Sequence, residues 1–335
     1  MFVSLDKPKV VVTHWVHDEV IDQLRQFCDP VPVTSRTVLS RTEVLARAGD
    51  AVGLLVCMTD HVDDDFLAGC PRLRVISGTL KGYDNFDVGA CTRRRVWLTA
   101  LPDQLTGSAA ELCIGLTIAL MRHVVTGDRL VRSGEFDGWR PRLYGRSLTG
   151  ATVGIIGMGL IGQAVARRLR AFGTDLLYHD LRPLPIERSS ELGLRRVELG
   201  ELLASSHVVL ALLSLAPDTG ALLDRDALAR MRPGAHLVNV SRGSLVDEIA
   251  VAEALESGRL GGYAADVFAM EDWARSDRPD HIPPALLAHP RTVFTPHLGS
   301  AVDDVRRTMS QAAADQIAQV IAGLRPEYAV NELPC

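Results

Sequence analysis

Several features are missing from this chain of 335 residues, and each absence excludes a class of protein. No C-x-x-C pair occurs: Cys28, Cys57, Cys70, Cys91, Cys113 and Cys335 are scattered, several of them in apolar runs, with no histidine cluster beside them. That spacing argues against a zinc site or disulfide framework and for small core residues in a reducing compartment. The longest apolar run, around residues 208–213, is far too short to cross a bilayer. Residues 1–9 carry charges and Pro8 where a signal peptide needs an apolar stretch. Positive charge is not in excess either. The formal net charge is −5, so neither nucleic acid nor an acidic membrane surface is an expected partner. Repeats and low-complexity tracts are absent. The expectation is a soluble, cytoplasmic protein without a metal, in which any attraction for an anion comes from a local site.

What is present is an alternation of short apolar runs with helical patterns. Residues 9–13 read as a strand, and residues 18–27 then set Val20, Ile21, Leu24 and Phe27 on one helical face. Further runs lie at 51–57, 73–77 and 96–99. After Pro102-Asp103 comes an apolar, buried helix over about 108–122, then a Gly- and Arg-rich loop over 132–150. A second series supplies strands at 152–156, 175–178, 208–213, 236–240, 263–267 and 292–294, mostly continuous apolar runs, as when helices cover both sheet faces. A closing helix over 303–323 is expected to return to the first domain. Such alternation predicts an α/β protein with two doubly wound parallel-sheet domains. The expected division is 1–101 with 299–335, and 102–298.

The run Gly157-Met158-Gly159-Leu160-Ile161-Gly162 joins a strand to a helix. Gly157 permits the tight turn, Gly159 lets a pyrophosphate approach the backbone, and Gly162 allows close helix–strand packing. Asp180 follows 18 residues beyond Gly162, at the end of the next strand, where a carboxylate accepts ribose hydroxyls and repels a 2′-phosphate. NAD is the expected cofactor, with Arg182 leaving NADP as the weaker alternative. Leu213, Ser214 and Val240, at later strand ends, join the cofactor-binding set.

Three further segments lie at or near strand ends, where open α/β sheets bind their ligands. They are Asn239-Val240-Ser241-Arg242-Gly243, Asp266-Val267-Phe268-Ala269-Met270-Glu271 and Thr295-Pro296-His297-Leu298-Gly299. An arginine holds an oxyanion in two parallel hydrogen bonds. A histidine hydrogen-bonded to a glutamate cycles one proton. Arg242, His297 and Glu271 are therefore the candidate catalytic set, and the other histidines, His14 among them, read as structural.

These motifs together resemble the D-2-hydroxyacid dehydrogenase superfamily over nearly the whole chain. The resemblance implies a Rossmann nucleotide-binding domain inserted into a flavodoxin-like substrate domain. It also implies Arg242 on the substrate anion, His297 as acid/base, Glu271 supporting it, and Asp266 near the nicotinamide carboxamide. Within the superfamily, several segments resemble the phosphonate (phosphite) dehydrogenase branch. They include Leu80-Lys81-Gly82-Tyr83-Asp84-Asn85-Phe86-Asp87, Gly138-Trp139-Arg140-Pro141-Arg142-Leu143-Tyr144-Gly145 and Met270-Glu271-Asp272-Trp273-Ala274-Arg275.

That branch implies oxidation of phosphite to phosphate, with Lys81, Gly82 and Arg242 holding the substrate and Arg306 adding positive charge. Met58, Trp139, Tyr144 and Ser300 would line the site, and a homodimer is implied. Common 2-hydroxyacid enzymes carry a small apolar residue where this chain has Lys81, and a second cation suits a compact anion of higher charge. The alternatives are a glyoxylate or hydroxypyruvate reductase and a non-catalytic NAD-sensing, corepressor-like protein.

Overall fold

Two separate parallel sheets organise the chain, seen in a computed structural model that describes residues 7–216 and 219–333. Cys335 and most of the charged N-terminal stretch lie outside the described residues. The chain divides into two units: Met1–Leu105, Trp273–Ser276 and Val302–Cys335 form the first, and Thr106–Asp272 with Asp277–Ala301 the second.

The first unit holds β1 (Lys9–Val12), β2 (Asp29–Val31), β3 (Gly53–Val56), β4 (Val75–Gly78) and β5 (Trp97–Thr99), in the order β2-β1-β3-β4-β5. This is the flavodoxin-like order. Alternating side chains bury opposite faces. Val10, Val12, Leu55 and Val75 pack on Val20, Ile21 and Leu24 of the helix Asp18–Arg25 and on Ala313, Ala314, Ile317 and Val320 of the helix Asp303–Ile321. Val11, Leu54 and Ile76 face the other way, onto Val44, Phe66 and Leu67. Acidic Asp18 and Glu19 open the first of these helices and Arg25 closes it, each matched to the helix dipole.

The second unit holds β6 (Thr152–Ile156), β7 (Asp175–His179), β8 (Leu194–Arg196), β9 (Val208–Ala211), β10 (Ala235–Asn239), β11 (Leu260–Ala265) and β12 (Thr292–Phe294). Their order is β12-β11-β10-β9-β6-β7-β8, the Rossmann arrangement with one strand added. The strand order reverses between β6 and β9, and that is where such sheets bind ligands.

The helix Thr106–Met121 buries Ala110, Cys113, Ile114, Leu116, Leu120 and Met121 against β6, β9, β10 and β11. Among the described residues no single helix is long and apolar enough to cross a membrane. That helix passes only together with Val124–Arg132, across a 64° bend.

Three features differ from the sequence expectation. Edge strands β2 and β8 are absent from it: each has three residues, and Pro30 in one and Arg195-Arg196 in the other hide any alternation. β11 begins earlier than expected, at Leu260, because Gly261-Gly262 reads as a turn, and it ends at Ala265 rather than at 267. These glycines are needed for space: a Cβ on Gly262 would lie 2.8 Å from Leu120 Cδ1. The unit boundaries differ as well: residues 102–105 and Trp273–Ser276, expected in the nucleotide-binding domain, group with the first unit, and residues 299–301, expected in the substrate domain, with the second.

Gly154, inside β6, gives a direct test of core packing. A Cβ there would strike Ser206 Oγ and lie 2.5 Å from Leu202 Cδ2. Gly154→Ala is expected to cost about 1–3 kcal/mol and to lower the thermal midpoint by several degrees. An unchanged or higher midpoint in a melting experiment would contradict this packing.

Candidate active site

The glycine turn after β6 is built to approach an anion. Gly157 has φ +94°, and a Cβ on it would lie 2.6 Å from the Leu212 carbonyl oxygen. Gly159 precedes the helix Leu160–Leu169 and makes no side-chain cap bond, while a Cβ on it would meet nothing within 4 Å. No side chain of the N-cap residue therefore occupies the first amides of that helix, where the positive end of the helix dipole lies. A Cβ on Gly162 would strike the Gly157 carbonyl, so the helix start and the turn need both glycines.

Asp180, immediately after β7, is fixed by two backbone donors. Met158 N–H donates to Oδ2 at 2.7 Å and Arg182 N–H to Oδ1 at 2.8 Å. Each oxygen keeps a further lone pair, as binding a ribose diol requires. Arg196, which the sequence does not single out, donates through Nη2 to the Asp180 carbonyl at 3.2 Å. Leu213 and Ser214 follow β9, and half-buried Val240 follows β10. Open space above Gly159 and an oriented acid at the next strand end fit a dinucleotide.

The turn carrying Arg242 leaves β10. Asn239 Nδ2 donates to the Arg242 carbonyl at 2.8 Å, and Ser241 Oγ donates to the Ala211 carbonyl at 2.8 Å. Arg242 Nη1 donates to the Ser241 carbonyl at 2.8 Å. Gly243 lies so close to the Phe268–Ala269 backbone that no Cβ fits there.

Past β11, buried Asp266 organises the histidine turn. Its Oδ1 accepts from Thr295 Oγ1 at 2.6 Å and from Leu298 N–H at 2.7 Å, and its Oδ2 accepts from Gly299 N–H at 2.9 Å. Its carbonyl accepts from His297 N–H at 2.8 Å. Burial raises the Asp266 carboxyl above its ordinary value, opposed by the Thr295 hydroxyl, the two amides and His297. This web holds His297 at φ +56°, a conformation a histidine does not adopt freely.

Glu271 accepts from Phe268 N–H through Oε1 at 2.8 Å, and its Oε2 lies 2.7 Å from His297 Nδ1. A carboxylate only accepts, so Nδ1 carries the hydrogen and Nε2 of the neutral ring is left to take a proton. Arginine, histidine and glutamate thus stand on turns of one unit: the Arg242 turn meets the Glu271 turn at Gly243, and His297 meets Glu271 itself.

In the first unit, cations gather at the ends of β3 and β4. Arg306, on the last helix, donates through Nη1 to the Thr79 carbonyl at 2.9 Å, and through Nη2 to Thr79 Oγ1 at 3.1 Å and Cys57 Sγ at 3.4 Å. Lys81 stands two residues beyond Thr79, half-buried, and burial lowers its pKa against the opposing charge of Asp103. Met58 and Gly82 are half-buried on the same strand-end loops.

His14, read from sequence as structural, has Nε2 3.2 Å from Thr79 Oγ1 and so belongs to this cluster. Burial and Arg306 hold its pKa down to about 3. Half-buried Ser300 follows the histidine turn in the second unit. Trp139 and Tyr144, expected to line a site, are 77% and 75% exposed on that unit, on a segment with little regular structure to bury them.

A glycine cradle for a dinucleotide and an Arg–His–Glu set at neighbouring strand ends define an NAD-dependent oxidoreductase. Residues 114–299 match the model for the NAD-binding domain of D-isomer specific 2-hydroxyacid dehydrogenases. Glyoxylate reductase from Pyrococcus furiosus is 33% identical over 97% of this chain and 96% of its own length, and that from Thermofilum pendens is 33% identical over 97% and 95%.

Among solved structures, a Thermus thermophilus protein superposes with a TM-score of 0.86 at 35% identity, over 96% of this chain and 100% of that one. A glyoxylate/hydroxypyruvate reductase from Sinorhizobium meliloti, solved with NADP and malonate, gives 0.85 at 28% identity, covering 98% of both chains. This chain belongs to the D-isomer specific 2-hydroxyacid dehydrogenase family. The curated relatives named here are glyoxylate reductases, not phosphonate dehydrogenases.

Asp266→Asn tests the histidine turn without changing its size. An amide offers one acceptor oxygen, so at least one buried donor of the turn loses its partner, at about 1–3 kcal/mol. A lower thermal midpoint and a loss of turnover of more than about tenfold are expected, since His297 rides on that turn. Wild-type values for both, in melting and steady-state measurements, would contradict the role given to Asp266.

Proposed function

We propose that this chain oxidises phosphite to phosphate with NAD as hydride acceptor. The observation that carries this reading is the cation pair of the first unit: Lys81 after β4, and Arg306 fastened to Thr79 two residues before it. Burial weakens the hold of Lys81 on its proton, and an anion of high charge would restore it. A monocarboxylate with an organic tail makes less use of two such cations than a compact oxyanion able to carry two charges.

In this reading Lys81, Arg242 and Arg306 hold the oxyanion, with the Gly82 backbone, Met58, Ser300, Trp139 and Tyr144 as further contacts. Bound at the Gly157–Gly162 turn, NAD supplies the acceptor for the hydride. With such an acceptor bound, the P–H bond would break with its electron pair leaving as hydride while a water oxygen forms the new P–O bond. His297 Nε2 takes the proton that water releases, and Glu271 keeps the ring in the tautomer that allows it. Asp266 serves the cofactor side by holding the turn that presents His297. Asp180 favours NAD, while Arg182 and Arg196 beside it leave room for NADP. Cytoplasmic action is part of the proposal.

A second reading is reduction of glyoxylate or another 2-oxoacid. The relatives' names back it better than they back phosphite, and Arg242, Glu271 and His297 serve it equally well: the arginine clamps the carboxylate and the histidine donates a proton to the carbonyl oxygen. Purified protein decides between the two when offered NAD with phosphite and NADH with glyoxylate in parallel. NADH formation from phosphite is expected. Turnover of glyoxylate with none of phosphite would overturn the first reading and establish the second.

Lys81→Ala is expected to raise KM for phosphite by about tenfold or more, and His297→Ala to lower kcat by about 100-fold or more with NAD binding retained. Near-normal kcat in the latter would remove His297 from its role. Exposed Phe136 and Leu143, on the segment that also carries Trp139 and Tyr144, form an apolar arm that we assign to a second copy of the chain. Light scattering is expected to give twice the chain mass, and the mass of a single chain would contradict it.

A further inference from the structure

Beneath the Glu271 turn lies a second glutamate with no assigned task. Glu248 is the first residue of the helix Glu248–Glu256, just after the segment that carries Arg242, and is 5% exposed. Its Oε1 accepts from Ala269 N–H at 2.8 Å. Ala269 opens the short turn Ala269–Glu271, and the preceding amide, Phe268 N–H, is held by Glu271 itself. Two successive amides of the turn therefore end on carboxylates, one of which orients His297.

Other links run in the same direction. Asp272 Oδ2 accepts from Ser244 N–H at 2.8 Å, and Gly243 is pressed onto the Phe268–Ala269 backbone. The Arg242 turn and the Glu271 turn are thus tied at three points, and Glu248 supplies the one reaching the turn's first amide from below. We infer that Glu248 is a positioning residue: it fastens the Glu271 turn to the Arg242 turn and so sets where Glu271 holds His297.

The charges around it bear on how it does so. Facing Glu248 are Asp272 and Glu271 from the turn and Asp247 from its own helix cap, with the Tyr263 hydroxyl of β11 also influenced by its charge. Burial first, then these carboxylates, push Glu248 up to about 7, against the pull of the Ala269 amide. Its other oxygen, Oε2, is buried and has no hydrogen-bond partner among the described residues. The neutral acid keeps Oε1 as an acceptor and adds no fourth negative charge, so it is the form that suits the turn. An ordinary glutamate is ionised in the unfolded chain from about 4.5 upward. Between that value and about 7 the folded chain keeps a proton that the unfolded chain releases. Stability from this residue therefore falls as pH rises through that window and is lowest above it.

This inference rests on the assignment of Glu271 and His297 to proton handling, so its test starts from whichever of phosphite and glyoxylate the wild-type protein turns over. Wild-type protein inactive on both would overturn that assignment, and the inference with it. Glu248→Gln keeps the acceptor oxygen without the charge, and is expected to hold kcat within about twofold of wild type. Glu248→Ala removes the acceptor, and is expected to lower kcat by about tenfold or more with KM and NAD binding little changed. Glu248→Gln should also melt several degrees above wild type at pH 8 and level with it at pH 5. A fully active Glu248→Ala protein, or a Glu248→Gln protein as impaired as Glu248→Ala, would overturn the positioning role. A melting difference equal at the two pH values would overturn the role of the neutral form.

Discussion

The active arrangement hangs on one buried carboxylate. Asp266 ends the β11 segment and collects a hydroxyl and two amides from the Thr295–Gly299 turn on its side chain, and the His297 amide on its carbonyl. Each bond alone is modest, but leaving any of these donors buried and unpaired is expensive, and the same web holds a histidine in left-handed backbone space. With the backbone so fixed, the His297 ring meets Glu271 at 2.7 Å, and Nε2 is the nitrogen left to work. Without that anchor, the sequence Thr-Pro-His would be a loop free to turn its imidazole anywhere.

From this anchor the rest of the second unit follows as a matter of strand ends. β10 delivers Arg242, β11 delivers Asp266 and Glu271, and β12 delivers His297, three neighbouring strands of one parallel sheet. Gly243 permits the Arg242 turn to rest on the Glu271 turn, as no larger residue could. At the place where strand order reverses, β6 supplies the glycine turn and β7 the acid. The glycine turn with its acid and the Arg242–Glu271–His297 arrangement are therefore products of one topology, and the family match over residues 114–299 covers both.

Much of this was legible in the residues, for identifiable reasons. Buried parallel strands announce themselves as continuous apolar runs, so β6 and β12 fall at their expected bounds. A glycine turn with a carboxylate at the next strand end has few other physical uses. Edge strands were not legible, since Asp29–Val31 and Leu194–Arg196 are short, polar and lie at the sheet margins. Nor were contacts that join distant segments. Nothing local to His14, Thr79 or Glu248 says that the first meets the second, that the second holds Arg306 or that the third holds the Ala269 amide. Likewise, the strand expected over 263–267 stops at Ala265, just before Asp266, and the bonds of Asp266 to Thr295, Leu298 and Gly299 belong to tertiary structure.

The phosphite proposal rests on the charge of the first unit, where Arg306 is fastened to Thr79 at the end of β4 and Lys81 follows two residues later. The most direct measurement follows the hydrogen itself. Phosphite carrying deuterium on phosphorus should yield, in ordinary water with NAD, reduced cofactor one mass unit heavier, together with phosphate. Reduced cofactor without the deuterium, or none formed at all, would contradict direct hydride transfer from phosphorus and with it the central claim.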